Sequence, residues 1–245
     1  MKTMETEGTD TLIERARKAS GLCEPENYEE AVGLYRQALR ENPSCADAYS
    51  GLAEAYALWG FRREVSELES RSYYDQAFSC AERGLELAPL TACVHRAMAV
   101  ALRRGSRADA ERRCSEAELA VEIAPECADS WYELWRASGY SLEDPAVKKA
   151  LTLRPAFFAA LHDLGVVLCE HERHAEALRF IDRALAVNAG SRLARYNHAM
   201  VLHFLGRVEE SCAEMRALSK ERPDDAMIAY GLTFLEEHLD GQTPA

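Results

Sequence analysis

The chain is poor in the residues that break helices. Its 245 residues include 8 prolines and 13 glycines, so most of it is free to be helical. No uninterrupted apolar run reaches the roughly 18 residues of a membrane span, and no membrane insertion is expected. Positive charge is also short: 29 Lys and Arg face 41 Asp and Glu, a formal net charge of −12. Nucleic acid and anionic membrane surfaces attract cationic proteins, so neither is expected as a partner. The cysteines, at positions 23, 45, 80, 93, 114, 127, 169 and 212, stand at least 13 residues apart, which excludes Cys-x-x-Cys redox and zinc motifs. Most fall on helical patterns, where a thiol acts as a small hydrophobe, and a reducing cytoplasm is the compartment expected. The stretch Met1 to Gly8 has no apolar core and does not read as a secretory leader. Gly-x-Gly-x-x-Gly, Gly-x-x-x-x-Gly-Lys-Ser/Thr and Gly-x-Ser-x-Gly are all missing, so phosphate-loop and hydrolase chemistry lack their signatures and no cofactor is expected.

What the chain does have is a pattern that returns about every 34 residues. Tyr28, Ala31, Tyr35, Ala38 and Pro43 form one copy. Tyr74, Ala77, Ala81, Gly84 and Pro89 form a second, and Ala177, Ile181, Ala184 and Asn188 a third. Each copy is flanked by another amphipathic stretch, such as Tyr49, Leu52, Ala53 and Tyr56, which follow the i, i+3, i+4, i+7 spacing of one helix face. Two short helices cannot bury both apolar faces alone, so each pair must stack on the next. Small residues (Ala31, Ala53, Ala77, Ala99, Gly165, Ala177) let the axes approach, and prolines 43, 89, 125, 155 and 223 end second helices.

The spacing predicts a flexible N-terminus over 1–11 and helix-pair units at about 12–45, 46–91, 92–127, 128–157, 158–191 and 192–225. A capping helix over 226–239, with Glu236, Glu237 and His238 at its polar end, and a tail over 240–245 complete the chain. The unit at 46–91 is about twelve residues too long for the period. The surplus, Phe61 to Ser72, reads as an N-terminal extension of that unit's second helix, because Val65 and Leu68 continue the apolar stripe of Tyr74 and Ala77. Its charges (Arg62, Arg63, Glu64, Glu67, Glu69, Arg71) favour a solvated surface over a docking knob.

Leu202, Gly206 and Pro223, Trp131 and Leu134, and Leu52, Tyr56, Ala77 and Pro89 carry a pattern that resembles the tetratricopeptide repeat family across about residues 12–239. The resemblance implies an all-α, right-handed α-solenoid of about six helix pairs plus a C-terminal capping helix. It implies that first helices line a concave groove where peptides or helices dock. In that frame one row is Tyr132, His162, Tyr196 and Tyr230, a second is Glu133, Asp163 and Asn197, and a third is Arg136, Val166, Met200 and Phe234, with His203 and Phe204 nearby. Tyrosine suits peptide recognition, having a rigid apolar body and a polar tip; the competing account is that these rings pack on the neighbouring repeat. Arg96 and Arg103, seven apart on one helix face with Arg104 and Arg107 beyond, offer with Arg136 a hold on an acidic partner segment. Their structural alternative is a solvated face paired with Asp129 and Glu133. The family's carboxylate clamp is not expected, because the matching places hold Ala16, Ser20, Gly51, Cys93 and Ala97.

The function expected is therefore a non-catalytic adaptor or scaffold that binds a protein or peptide partner. Self-assembly into dimers or filaments is the alternative. A metal- or thiol-dependent enzyme using Cys169, His171 and His174 is less favoured, since His174 occupies the place of Tyr28 and Tyr74 at the start of a second helix.

Overall fold

The computed structural model describes residues 8–65, 68–104 and 107–240, whose regular elements are all helices joined by turns, with no strand among them. The expectations that fall on residues 1–7, on Glu67, on the side chains of Arg107 and His238, and on 241–245 lie outside the described residues.

The chain forms two compact units, Met1–Arg154 and Pro155–Ala245. The first contains α1 (Thr9–Ser20), α2 (Pro25–Glu41), α3 (Ala46–Val65), α4 (Arg71–Leu87), α5 (Ala92–Ala101), α6 (Arg107–Ile123), α7 (Ala128–Ala137) and α8 (Ala146–Leu153), with a single 3-10 turn, Leu102–Arg104, after α5. The second contains α9 (Phe158–Glu170), α10 (His174–Val187), α11 (Arg192–Phe204), α12 (Val208–Glu221) and α13 (Ala226–Asp240). In each unit a helix packs on its successor and each first helix also packs on the next first helix, α3 on α5, α5 on α7, α9 on α11 and α11 on α13. This is the helix-pair stack of an α-solenoid.

Local chemistry sets the helix ends. Pro43, Pro89, Pro125, Pro155 and Pro223 each stand two residues beyond the last residue of α2, α4, α6, α8 and α12. A residue before proline is pushed out of helical geometry, so the helix stops there. Pro25, by contrast, opens α2, where its missing N–H costs nothing. α1 starts at Thr9, so residues 9–11 belong to a helix and not to a flexible terminus; it buries Leu12, Ile13, Ala16 and Ala19.

The surplus of the second pair is placed differently from the sequence-based expectation. It lengthens the first helix: α3 runs to Val65, and α4 begins only at Arg71. The Glu69 carboxylate accepts bonds from the Ser72 N–H (3.1 Å) and hydroxyl (2.9 Å), satisfying an otherwise orphaned donor in the first turn of α4. Trp59 on α3 meets the Tyr73 ring edge-on at 4.9 Å, which gives the longer α3 an apolar partner. Val65 and Leu68 are exposed and continue no stripe.

Close approach of the helices depends on small side chains. Ala31, Ala53, Ala77, Ala99 and Ala177 have no exposed surface. At Gly165 an added Cβ would lie 2.5 Å from Ile181 Cγ1 and 3.3 Å from the Ala177 carbonyl oxygen, so α9 touches α10 through its backbone. Gly33, on the outside of α2, has nothing within 4 Å of such a carbon. The two glycines therefore predict opposite outcomes. Gly33→Ala is expected to raise the melting temperature, since it removes about 0.5–1 kcal/mol of helix-interior penalty. Gly165→Ala is expected to lower it, because overpacking of about 1–3 kcal/mol exceeds the same gain. Thermal melts followed by circular dichroism check both.

Candidate partner-binding faces

In the N-terminal unit, the first helices α3, α5 and α7 carry a ladder of alternating charge. Arg96 Nε donates to Glu54 Oε1 at 2.7 Å, and its Nη1 reaches Cys127 Sγ at 3.7 Å. Arg154 closes the far end with a two-pronged grip on Asp129. Burial holds the Glu54 carboxyl above the usual carboxylate range in spite of Arg96. Burial pushes Asp129 the same way, but Arg96 and Arg154 outweigh it, and its net shift is downward.

A second cluster forms where α7 ends. Glu133 is 1% exposed; its Oε1 accepts from Arg113 Nη2 at 3.1 Å, and Arg136 Nη1 lies 2.9 Å from Oε2, an ion pair off the line of a good hydrogen bond. Arg136 also covers the Tyr132 ring at 5.3 Å and donates from Nε to the Tyr140 hydroxyl at 3.3 Å. Arg103 Nη2 donates to the same hydroxyl at 3.1 Å, with its guanidinium 4.1 Å from the centre of the Phe61 ring. Tyr140 is thus the hub joining Arg103 to Arg136, and no row of repeat positions contained it. It sits in the left-handed region (φ 61°) directly after Gly139 (φ 86°), with its ring edge-on to Trp135 at 5.0 Å. Gly139, two residues past the end of α7, was the signal in the sequence that could have found this turn.

The C-terminal unit has a different face. Nδ1 of His162 faces Asp163 Oδ1 at 3.1 Å and Nε2 faces the Asn197 side-chain amide at 2.8 Å, so α9 and α11 share a polar link. Beside it the surface turns apolar. Tyr196 lies against Gly231, where an added Cβ would be 2.6 Å from its ring, and burial with Tyr230 nearby raises its hydroxyl above the ordinary value. Met200 and Phe234 pack on the core of Ala199, Met215, Ile228 and Leu235. His203 meets Phe234 and Phe204 edge-on at 5.4 and 5.7 Å, and Phe204 stacks on His174 at 5.1 Å. Phe204 and Tyr230 nonetheless remain 48% and 74% exposed.

A family model described as tetratricopeptide repeat matches residues 22–58. The chain is 22% identical over 201 residues to anaphase-promoting complex subunit 3 of Schizosaccharomyces pombe (strain 972), a match covering 80% of this chain and 28% of that protein. Among solved structures it is similar to the APC/C hetero-tetramer Cut9-Hcn1, with TM-score 0.67 and 13% identity over 95% of this chain and 44% of that one. It is also similar to PilF of Pseudomonas aeruginosa, with TM-score 0.53 and 16% identity over 91% of this chain and 98% of that one. Together with the repeat seen along the sequence, the matched model supports a tetratricopeptide-repeat protein, and the solved structures show the same helical fold. The chain spans less than a third of its Schizosaccharomyces relative and under half of the Cut9-Hcn1 chain.

Within the tetratricopeptide-repeat frame, the expected groove residues divide by role. Arg136 and His162 are 5% exposed and Glu133 still less, so these three are interior positioning groups with little surface to offer a partner. Tyr132 is buried as well, under Arg136. Arg96 and Asp163 are partly buried and already engaged. The row of Tyr132, His162, Tyr196 and Tyr230 is divided: Tyr132 belongs to one unit and the other three to the second, where His162 is interior and Tyr230 exposed. In the 169–174 segment, His171 Nδ1 meets its own helix at the Val167 carbonyl (2.8 Å), and Cys169 Sγ lies 3.6 Å from His174 Nδ1. Among the described residues no three His, Cys, Asp or Glu converge as metal ligands, and no helix is long and apolar enough to cross a membrane.

The buried charges give a direct test. Glu133→Ala removes the carboxylate between two largely buried guanidiniums, and breaking such a cluster costs about 3–5 kcal/mol. Denaturant unfolding of this variant is expected to show that loss, with Asp129→Ala, at the more exposed end of the ladder, losing clearly less.

Proposed function

We propose that this tetratricopeptide-repeat protein is a non-catalytic adaptor that binds a protein partner on the first-helix face of its C-terminal unit. The observation that carries the reading is the pair of large aromatic side chains, Tyr230 on α13 and Phe204 at the end of α11, left exposed beside Tyr196, Met200, His203 and Phe234. Large exposed rings clustered beside packed ones are the usual anchors of a protein interface, and the packed neighbours hold them with little entropy left to lose. Asp163 and Asn197, held from the interior by His162, border this surface with polar groups placed to orient a partner. The likeness to a chain of the Cut9-Hcn1 hetero-tetramer is consistent with work in assemblies, although it speaks for the fold alone.

In the N-terminal unit Arg103, steadied by Phe61 and Tyr140, is the group we assign to an acidic stretch of the partner. Arg136 shares the Tyr140 hydroxyl with it, and Arg96 and Arg136 are already compensated by Glu54 and Glu133.

A quantitative pull-down comparing wild type with Phe204→Ala/Tyr230→Ala tests the proposal. Tyr230 is largely exposed and Phe204 half-buried against His174, so helicity is expected to be unchanged and melting to fall only slightly. Each anchor is worth about 2 kcal/mol at a typical hot spot, so partner capture is expected to fall by well over tenfold. Identical partner profiles at matched concentration would contradict it. Light scattering on the same samples separates self-association, which a size that grows with concentration would reveal.

A further inference from the structure

His198 occupies the other side of α11 from Tyr196 and Met200, two residues away in either direction. It therefore faces the second helices and plays no part in the proposed partner surface. Both of its ring nitrogens meet carboxylates. Nδ1 lies 2.5 Å from Glu214 Oε2 on α12, and Nε2 lies 3.2 Å from Asp182 Oδ1 on α10. One side chain thus joins three consecutive helices, of which α11 and α12 are also linked by Arg195 with Glu221 and by the Ser211 hydroxyl donating to the Ala199 carbonyl.

The two contacts together specify a protonation state. A neutral imidazole has one N–H and one lone pair, so it can donate to only one carboxylate and must turn its lone pair on the other. Only the imidazolium donates to both. The charged groups around it are Asp182 on α10, Glu214 and, farther out, Glu210 on α12, and Arg207 just before α12, which pairs with Glu210 and also senses Asp182. Acids outnumber bases there, and the surroundings favour the cation.

We propose that His198 is a proton-operated clasp in the C-terminal unit: protonated, it ties α10 and α12 to α11, and on losing its proton it releases α10. Asp182 is the contact that opens, because its side chain is more than half exposed and can turn to water, whereas Glu214 and His198 are largely buried. The hydrogen bond to Glu214, burial notwithstanding, holds the imidazole above its ordinary value, with Asp182 adding to the effect. The sign follows from that direction. A histidine whose folded-state pKa is raised contributes stability that is fully present below its unfolded value of about 6.5 and is lost as pH rises through the folded value.

Two measurements on the full chain test the clasp. Imidazole C–H resonances followed by NMR are expected to place the His198 titration above about 6.5, and to move it down by about half a unit or more in Asp182→Asn. Asp182 is a surface residue, so this variant is expected to fold. Thermal melts of wild type and His198→Gln are expected to differ by about 2–4 °C near pH 6 and to converge near pH 9. Tyrosine and cysteine ionisation affects both proteins alike and cancels. A His198 titration at or below about 6.5, a titration unmoved by Asp182→Asn, or a melting difference equal at both pH values would each overturn the proposal.

Discussion

The constraint on which the rest depends is that no helix pair in this chain can bury its own apolar surface. Each pair has two sides to cover, and the next pair covers one of them. That requirement makes the small residues decisive, because two helix axes approach closely only where a side chain is nearly missing. Gly165 against Ile181, Gly51 against the Tyr35 ring and Gly231 against Tyr196 are such places, and each would bring an added Cβ within 2.6 Å of its neighbour. Large residues then fill what the small ones leave: Tyr28, Tyr35, Met98, Trp135 and Leu161 are almost fully buried.

The same stacking explains why so many charged groups are interior. First helices lie side by side at close spacing, so a charged residue on one meets its counterpart on the next before it meets water. Glu54 with Arg96 and His162 with Asn197 are links between first helices that arise in this way, and Glu133 is met by Arg113 of the second helix α6 and by Arg136 of its own helix. Such pairs are weak sources of net stability, since desolvation offsets attraction, but breaking one is costly. Their effect is to fix how one repeat sits on the next. The two units solve the problem differently: the N-terminal one covers its first-helix face with compensated charge, the C-terminal one with aromatic rings.

The helical architecture was legible in the sequence because period, small residues and proline stops all repeat, and each has a local physical cause. The extra length in the second pair was assigned to the wrong helix. Val65 and Leu68 fit the apolar spacing of the second helix, but α4 begins only at Arg71, where the Glu69–Ser72 cap opens it, and the Trp59–Tyr73 contact holds the longer α3, both tertiary or cap-level features. The site was less legible. Repeat registration located Tyr196, Tyr230, Met200 and Phe234 on first helices, but could not separate exposed Tyr230 from buried Tyr132 at the equivalent place. Exposure there depends on what covers the ring, here Arg136, one turn further along the same helix, over Tyr132. Tyr140 was invisible to the register because it follows α7 in a turn whose two consecutive left-handed residues, Gly139 and Tyr140, recur at no other turn among the described residues.

The central claim is that the first helices of the C-terminal unit present the partner-binding surface. Amide hydrogen exchange of the full chain, alone and bound to the protein it captures, tests it most directly. The account predicts protection concentrated on α11 and α13, with α10 and α12 unchanged. Protection confined to the second helices, or to the N-terminal unit alone, would contradict it.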